Sequence, residues 1–535
     1  MERIVVVGSG ASGVHFALSL LKKGYKVLML DVGFKQSIDV KPHDTFPQLK
    51  ENLLDPVEYF LGKDFEAVVY PSDDTEYYGF PPSKNYVFEK INSFSTHSRG
   101  FQPLLSFAQG GLGEAWTAGS YAFNDVDLRD FPFKYKDIEP YYNEVARRIG
   151  IAGEEDDLAK FFPVHDSLLN PLELDEHSKF LLLQYQDSKE YLNKRLSCYL
   201  GRSRIAVLSH DKSNRKKCQY LGRCIWGCPI NAFYTPSLTL EECKQFSNFK
   251  YIPGIFVKHF QFNHKRQIER VIATDIKNNK QVEFDVDKLI LAAGTLPSSK
   301  IYLDSIFANT GKIIKLPGLM DNRQILVPFL NLPLIGKNYN PETYQYHQLA
   351  IGFEHTKSDY IHGQITTLKT AMIHPIVQSL PTDLRTSLFL FKYIHAALGM
   401  INLMVSDNRR DENFVSLERE RSTNKTHLII KYSPKKGEQE VLQEIIKKLQ
   451  KALRKLRCIV PPGMIHIRPM GASVHYAGTI PMSATNGIHT SNEFCQSNEF
   501  NNLYFADGTT FPFLPSKNLT LTLMANATRV AECMF

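Results

Sequence analysis

The chain opens with an unbroken β-branched run, Ile4–Val7, with no polar position on either side of the alternation. Such a run predicts a strand covered on both faces, as in the middle of a parallel sheet. Beyond a short glycine-rich break, Val14, Ala17, Leu18, Leu20 and Leu21 recur at helical spacing, so a helix follows at once. A second strand is predicted over 26–30. Further along, 251–262 and 270–276 read as paired strands around the polar turn 263–267, and 285–292 reads as another buried strand. Residues 503–508 predict a last return to the same sheet, and 519–530 a helix packed on it. The intervening blocks, about 125–200 and 320–465, are richer in aromatics, prolines and charge. The pattern predicts two discontinuous domains: a nucleotide domain of 1–124, 201–319 and 466–535, and a substrate domain of 125–200 and 320–465.

Two apolar stretches raise the question of a membrane. In 441–457, Leu442, Ile445, Ile446, Leu449, Leu453 and Leu456 share one helical face and lysines and arginines the other, which predicts a solvated helix lying on a domain. The stretch 388–405 carries Lys392, His395, Gly399 and Asn402, which are costly in hydrocarbon, so a spanning helix is rejected. A core segment is expected there, with a substrate entrance or a peripheral lipid contact as the other readings.

The break after the first strand is GSGASG. Gly8 permits the tight turn, Gly10 lets a pyrophosphate approach the backbone, Gly13 lets helix and strand pack closely, and Ser12 lies in the same turn. The helix N-terminus then presents free N–H groups to phosphate. Asp31 closes the second strand, where an acid can accept both ribose hydroxyls of an adenosine. The unit predicts a dinucleotide site without distinguishing NAD from FAD.

Composition narrows the class. With 535 residues, 43% hydrophobic and 22% charged, the chain is an ordinary globular protein with room for a large core. A net charge of +7 is small for this size and argues against nucleic-acid binding. The first strand begins too early to leave room for a leader segment, so a cytoplasmic protein is expected, at most peripheral to the inner membrane face. Eight irregularly spaced cysteines do not suggest a disulfide framework.

Several further motifs, in order along the chain, resemble those of the glucose/methanol/choline (GMC) flavoprotein oxidoreductases. They are AQGGLGEAW at 108–116, FPFKYKDIEPYYNEV at 131–145, CIWGCPINA at 224–232, LAAGT at 291–295, HYAGT at 475–479, ADGTTFP at 506–512 and NLTLTLMA at 518–525. The resemblance implies an α/β fold, with a Rossmann-like FAD-binding domain interleaved with an α+β substrate domain. That second domain would be built on an antiparallel sheet of six or so strands, in the two-domain architecture shared with p-hydroxybenzoate hydroxylase. It implies extended FAD, with Gly110 and Gly111 beside the flavin, Asp507 and Gly508 near the flavin chain and pyrophosphate, and Val257 near the adenine. Gly294, closing an apolar strand, would bring backbone close to the cofactor. Asp507 could equally cap the next turn, and Val257 be a plain strand residue.

Oxidising an alcohol needs a base for the hydroxyl proton while hydride leaves the carbon, and neutral imidazole suits that role. His475 matches the family's catalytic histidine. Asn518 matches its second position, where the amide could donate to the substrate oxygen. The expected activity is oxidation of the CH–OH group of a small alcohol, a sugar or lipid-linked sugar among them, with oxygen, a quinone or a protein as final acceptor. Lyase or isomerase chemistry on the same fold, or a non-catalytic FAD-binding assembly role, are the alternatives.

The sequence departs from the family at Leu112-Gly113-Glu114, at Leu519, and at Lys517. That lysine is expected to be solvated, with a cation beside the substrate as the other reading. Cys218, Cys224 and Cys228, followed by Pro229, are spaced like the ligands of cluster-bearing relatives, making an iron–sulfur cluster one reading and a structural group of thiols the other.

Overall fold

The computed structural model describes residues 2–535 apart from 37, 39, 41–44, 69–75, 77, 357–358, 369–372, 379, 421–424 and 486. Ile4–Val7 is the central strand of a five-stranded parallel sheet, flanked by Val27–Leu30 and Lys288–Leu291, with Phe249–Ile252 and Leu503–Phe505 at the edges. Alternate residues feed different cores. Ile4, Val6 and Met29 join one with helices Ala11–Lys22 and Thr520–Met534, while Val5, Val7 and Leu30 join another with helix Thr295–Thr310. Burial on both faces is why these strands lack the polar alternation of a half-exposed sheet.

The predicted strand 251–262 is two strands. Gly254, at φ +82°, turns the chain between the sheet edge Phe249–Ile252 and Ile255–Phe262, which pairs with Ile268–Asp275 and, through it, with Lys280–Asp285. The predicted strand 285–292 begins later, at Lys288, because 280–285 is claimed by that three-stranded sheet.

The antiparallel sheet has seven strands. Along it run Cys458–Ile459, Arg323–Asn331, Leu398–Val405, Asp359–Thr367, Leu349–Thr356 and Cys198–Arg202, and His466–Ile467 also pairs with Arg323–Asn331. Helix Glu438–Lys455 lies on this sheet through Leu442, Ile445, Leu449 and Leu453, as its amphipathic pattern requires. The stretch 388–405 divides into the end of helix Leu384–Ile394 and the central strand Leu398–Val405. On that helix Leu384, Phe389 and Tyr393 are exposed, beside Arg385 and Lys392. Among the described residues no helix is long and apolar enough to cross a membrane. Phe414–Arg419 and Thr426–Lys431, within the 320–465 block, pair instead with Lys315–Pro317 and Thr96–Arg99 against the nucleotide side.

Candidate active site

One continuous cavity of about 360 Å³ runs from the carboxyl ends of the parallel strands to the inner face of the antiparallel sheet. Its first wall is built where each parallel strand stops: Gly8, Asp31, Gly294 and Asp507 each lie one to three residues past a strand end. Ligands of open α/β sheets bind at such ends, because there the backbone turns expose N–H groups that no neighbouring strand uses.

The three glycines of the first turn differ in what forbids a side chain. At Gly8 (φ +100°) a Cβ would sit 2.6 Å from the Ala292 carbonyl oxygen, and at Gly13 2.2 Å from the Gly8 carbonyl oxygen, so both are demanded by the protein's own packing. At Gly10 nothing lies within 4 Å. Its backbone is unstrained (φ −64°), it caps helix Ala11–Lys22 without any side-chain bond, and it faces the cavity with Ser12. A helix N-terminus with unused N–H groups beside space kept free of Cβ is a cradle fitted to phosphate.

Asp31 lines the same cavity. It accepts hydrogen bonds from the Ser9 hydroxyl and, at 3.0 Å, from Tyr251, and burial pushes its carboxyl up to about 7. Ser9 Oγ in turn accepts the Gly110 N–H at 3.0 Å, so one serine joins Asp31 to the second glycine loop. Gly110 and Gly111 have φ of +82° and +60°, and a Cβ on Gly111 would meet only Gly10 Cα, at 3.5 Å, so the two glycine turns face each other. The Glu114 departure has a structural cause. Its carboxylate turns away from the cavity, accepts the Ser237 N–H at 3.0 Å, and is buried within 2.1 Å of where a Gly110 Cβ would sit.

Val257 lines the far end of the cavity. Gly294 (φ +94°) donates its N–H to Asp507 Oδ2 at 3.0 Å, and the same carboxylate accepts Ser298 Oγ at 2.5 Å and the Thr509 N–H at 3.1 Å. Asp507 therefore caps two turns, the role foreseen as its alternative, while it and Gly508 still line the cavity. Gly508 accepts the Gly478 N–H at 3.0 Å, tying this wall to the segment that carries His475.

His475 and Asn518 line the opposite end together. His475 follows Val474, a β-branched residue at φ +63°, a conformation that costs of order 1–3 kcal/mol. The loop is held from below by Asp321, which accepts the Gly471 N–H at 2.7 Å and the Ser473 hydroxyl; Ser473 Oγ accepts the His475 N–H at 3.0 Å. The His475 ring meets Asn322 Oδ1 through Nδ1 at 2.9 Å. Burial, with the Arg468 guanidinium adding to it, pulls the imidazole down to about 4, so it is neutral at ordinary pH. Asn518 Oδ1 accepts from Gln364 Nε2 at 2.6 Å.

Several lining residues escaped the sequence reading. Gln364 and Asn402 are opposed in register, and Gln324 sits two residue pairs further along, opposite Met404, so three amides share the face of the antiparallel sheet turned to the cavity. Only Asn402 stood out, as the one polar residue of an otherwise apolar strand, whereas Gln324 and Gln364 lie in strands with other polar residues, and nothing in a sequence says which face meets the cofactor domain. Asn402 Oδ1 is buried without a partner among the described residues. Arg468 is paired with Glu76 at 2.6 Å, bonds Gln324 Oε1 at 2.5 Å and lies over the Tyr78 ring.

Lys517 is not solvated. It is fully buried, bonded to Asp127 and, at 2.6 Å, to the Phe161 carbonyl oxygen, and it is absent from the cavity wall. Neither reading of it survives, because Asp127 and the Phe161 carbonyl hold the ammonium in the interior. Replacing Lys517 with Met strands the Asp127 carboxylate in the interior. We expect a loss of about 3–5 kcal/mol, read as a lower denaturant midpoint. Cys218, Cys224 and Cys228 are free thiols packed at the edge of the first core; burial pushes the Cys218 thiol up to about 11 and raises that of Cys224. Among the described residues no group of three or more His, Cys, Asp or Glu is arranged to hold a metal ion.

A glycine turn at a helix N-terminus, a buried acid and a neutral imidazole thus line one cavity. Residues 409–527 match the GMC oxidoreductase family model. The chain is 26% identical over 322 residues to the fructose dehydrogenase large subunit of Gluconobacter japonicus, a match covering 56% of this chain and 53% of that protein, so the chain spans about half the length of that curated relative. The fold is similar to that of pyridoxine 4-oxidase from Mesorbium loti (TM-score 0.59, 13% identity, 99% of each chain). It is similar also to an FAD-dependent oxidoreductase from Chaetomium thermophilum (TM-score 0.57, 12% identity, 100% of this chain and 99% of that one). Over residues 409–527 the chain is thus similar to the GMC oxidoreductases, and over its whole length it shares the fold of those two solved structures.

Proposed function

We propose that this protein oxidises the CH–OH group of an uncharged, polyhydroxylated alcohol, with His475 as the base and Asn518 as the hydrogen-bond donor to the substrate oxygen. The observation that carries the reading is the neutral His475 imidazole, bonded through Nδ1 and lining the same cavity as Asn518. Gly8, Gly10, Ser12, Asp31, Gly110, Gly111, Val257, Gly294, Asp507 and Gly508 line the cavity and would hold FAD, while Gly13 serves the packing of the first turn. Bound there, FAD would supply the hydride acceptor, with oxygen, a quinone or a protein as the final acceptor. His475 takes the hydroxyl proton at Nε2, and the Asn518 amide stabilises the alkoxide character that develops on oxygen.

The substrate class follows from what the cavity offers. Gln324, Gln364 and Asn402 present amides suited to hydroxyl groups, and the nearby cation, Arg468, is already neutralised by Glu76. An anionic substrate would find no uncommitted charge among these residues, whereas a polyol supplies donors for the unpaired Asn402 oxygen. The sugar named for the curated relative supports the same class. The exposed apolar and basic face of helix Leu384–Ile394 supports a peripheral contact with an anionic membrane surface from the cytoplasm.

The test is an anaerobic screen of sugars, polyols, sterols, hydroxy acids and aliphatic alcohols for bleaching of the flavin spectrum, followed by air. Polyols or sugars should bleach it. If none of these alcohols does so, the reading fails in favour of non-redox chemistry or an assembly role. For the active alcohol, kcat/KM for flavin reduction should stay level as pH falls from 8 to 6 and drop only through about 4. A base needs its neutral form, and burial has moved that transition well below the ordinary histidine value.

A further inference from the structure

Asn322 is buried in the link between Met320, which bridges to Ala477, and the strand Arg323–Asn331. Its side chain makes three bonds. Nδ2 donates to the Val405 carbonyl oxygen at 3.1 Å and to the Pro515 carbonyl oxygen at 3.0 Å, and Oδ1 meets His475 Nδ1 at 2.9 Å. An asparagine amide can ordinarily be turned over without changing its shape. Here it cannot, because carbonyl oxygens only accept, so the nitrogen must face them and the oxygen must face the histidine. An amide oxygen has no proton to give. The proton of the His475–Asn322 bond therefore belongs to Nδ1, and the neutral imidazole carries its lone pair on Nε2.

We infer that Asn322 is a positioning residue that sets the tautomer of His475, making Nε2 the proton-accepting atom before any substrate arrives. The inference rests on the reading of His475 as base and adds which nitrogen acts and what decides it. The same amide holds the Pro515 carbonyl, three residues before Asn518, so one buried side chain is bonded to both segments that supply the active groups. Burial lowers the imidazole's affinity for a second proton, and the amide oxygen, being uncharged, does little to raise it again. A carboxylate in its place would hold an imidazolium, which has no lone pair to offer.

The test has a readout that does not involve turnover. In the FAD-loaded protein labelled with ¹⁵N-histidine, with the His475 signals assigned by their loss in His475→Gln, Nδ1 should show the protonated and Nε2 the unprotonated nitrogen shift at pH 7. An Nε2–H tautomer, an even mixture, or an imidazolium overturns the inference. Asn322→Asp should move the low-pH limb of kcat/KM for flavin reduction upward by about one to three pH units. Asn322→Leu should yield both tautomers. A purely structural role would lower the rate evenly across pH and leave the limb in place, which also overturns the inference. If the variants fail to fold, the wild-type spectrum alone decides. The two readings separate cleanly: an Nδ1–H signal with an active His475→Ala enzyme retains the tautomer and discards the base, while an Nε2–H signal with an inactive one does the reverse.

Discussion

Replacing His475 with Ala is expected to slow anaerobic reduction of the flavin by its alcohol by about 10²- to 10⁴-fold, the usual worth of a positioned general base. FAD should remain bound at wild-type stoichiometry, because the groups proposed to hold its phosphates and ribose lie at the other end of the cavity. Stopped-flow absorbance under argon measures the first quantity and the flavin spectrum of the purified protein the second. The loss should be larger near neutral pH than in strong base, where free alkoxide can form without help. A variant that bleaches at the wild-type rate would remove His475 from the chemistry. His475→Gln should be as slow as the alanine variant, since an amide can bond Asn322 yet accepts no proton at neutral pH.

The second large effect separates two kinds of glycine. Gly10→Leu should give a folded protein with no flavin: the added side chain meets no protein atom at its Cβ and projects into the space read here as the phosphate site. Its cost to the fold should be about 1 kcal/mol, from a poorer helix cap. Gly13→Leu should not fold, because the Cβ would collide with the Gly8 carbonyl at 2.2 Å and neither backbone can move without opening the strand–helix turn. Circular dichroism and flavin absorbance together distinguish the outcomes. If Gly10→Leu retains FAD, the cradle has been placed on the wrong turn; if Gly13→Leu folds and binds, the close packing of that turn has been misread.

Much of the nucleotide side could be read from the chain because its signals are local. Ile4–Val7 announces burial on both faces through composition alone, and Gly8, Gly10 and Gly13 sit within one turn, so the steric demands on them are set by residues a few positions away. His475 and Asn518 were singled out through their matching segments, and both line the cavity. What stayed hidden is of another kind. Lys517 looks from its neighbours like a surface residue; only the approach of Asp127 and the Phe161 carbonyl, some 390 and 356 residues distant, makes its burial tolerable. The break at Gly254 was missed because an unbroken β-favouring run cannot say that its two halves will pair in different sheets.

The sequence by itself determined where glycine lets the backbone turn tightly, which strands are buried on both sides, and that an imidazole is available at position 475. It did so because glycine, β-branched and alternating residues impose their constraints within a few bonds. The tertiary structure alone decided that Gln324, Gln364 and Asn402 face the cavity, that Arg468 is neutralised by Glu76, and that Asn322 meets His475 with its oxygen. These depend on strand register and on contacts between segments far apart in the chain, and the hydrogen-bonding polarity of a buried amide is set by what surrounds it in space.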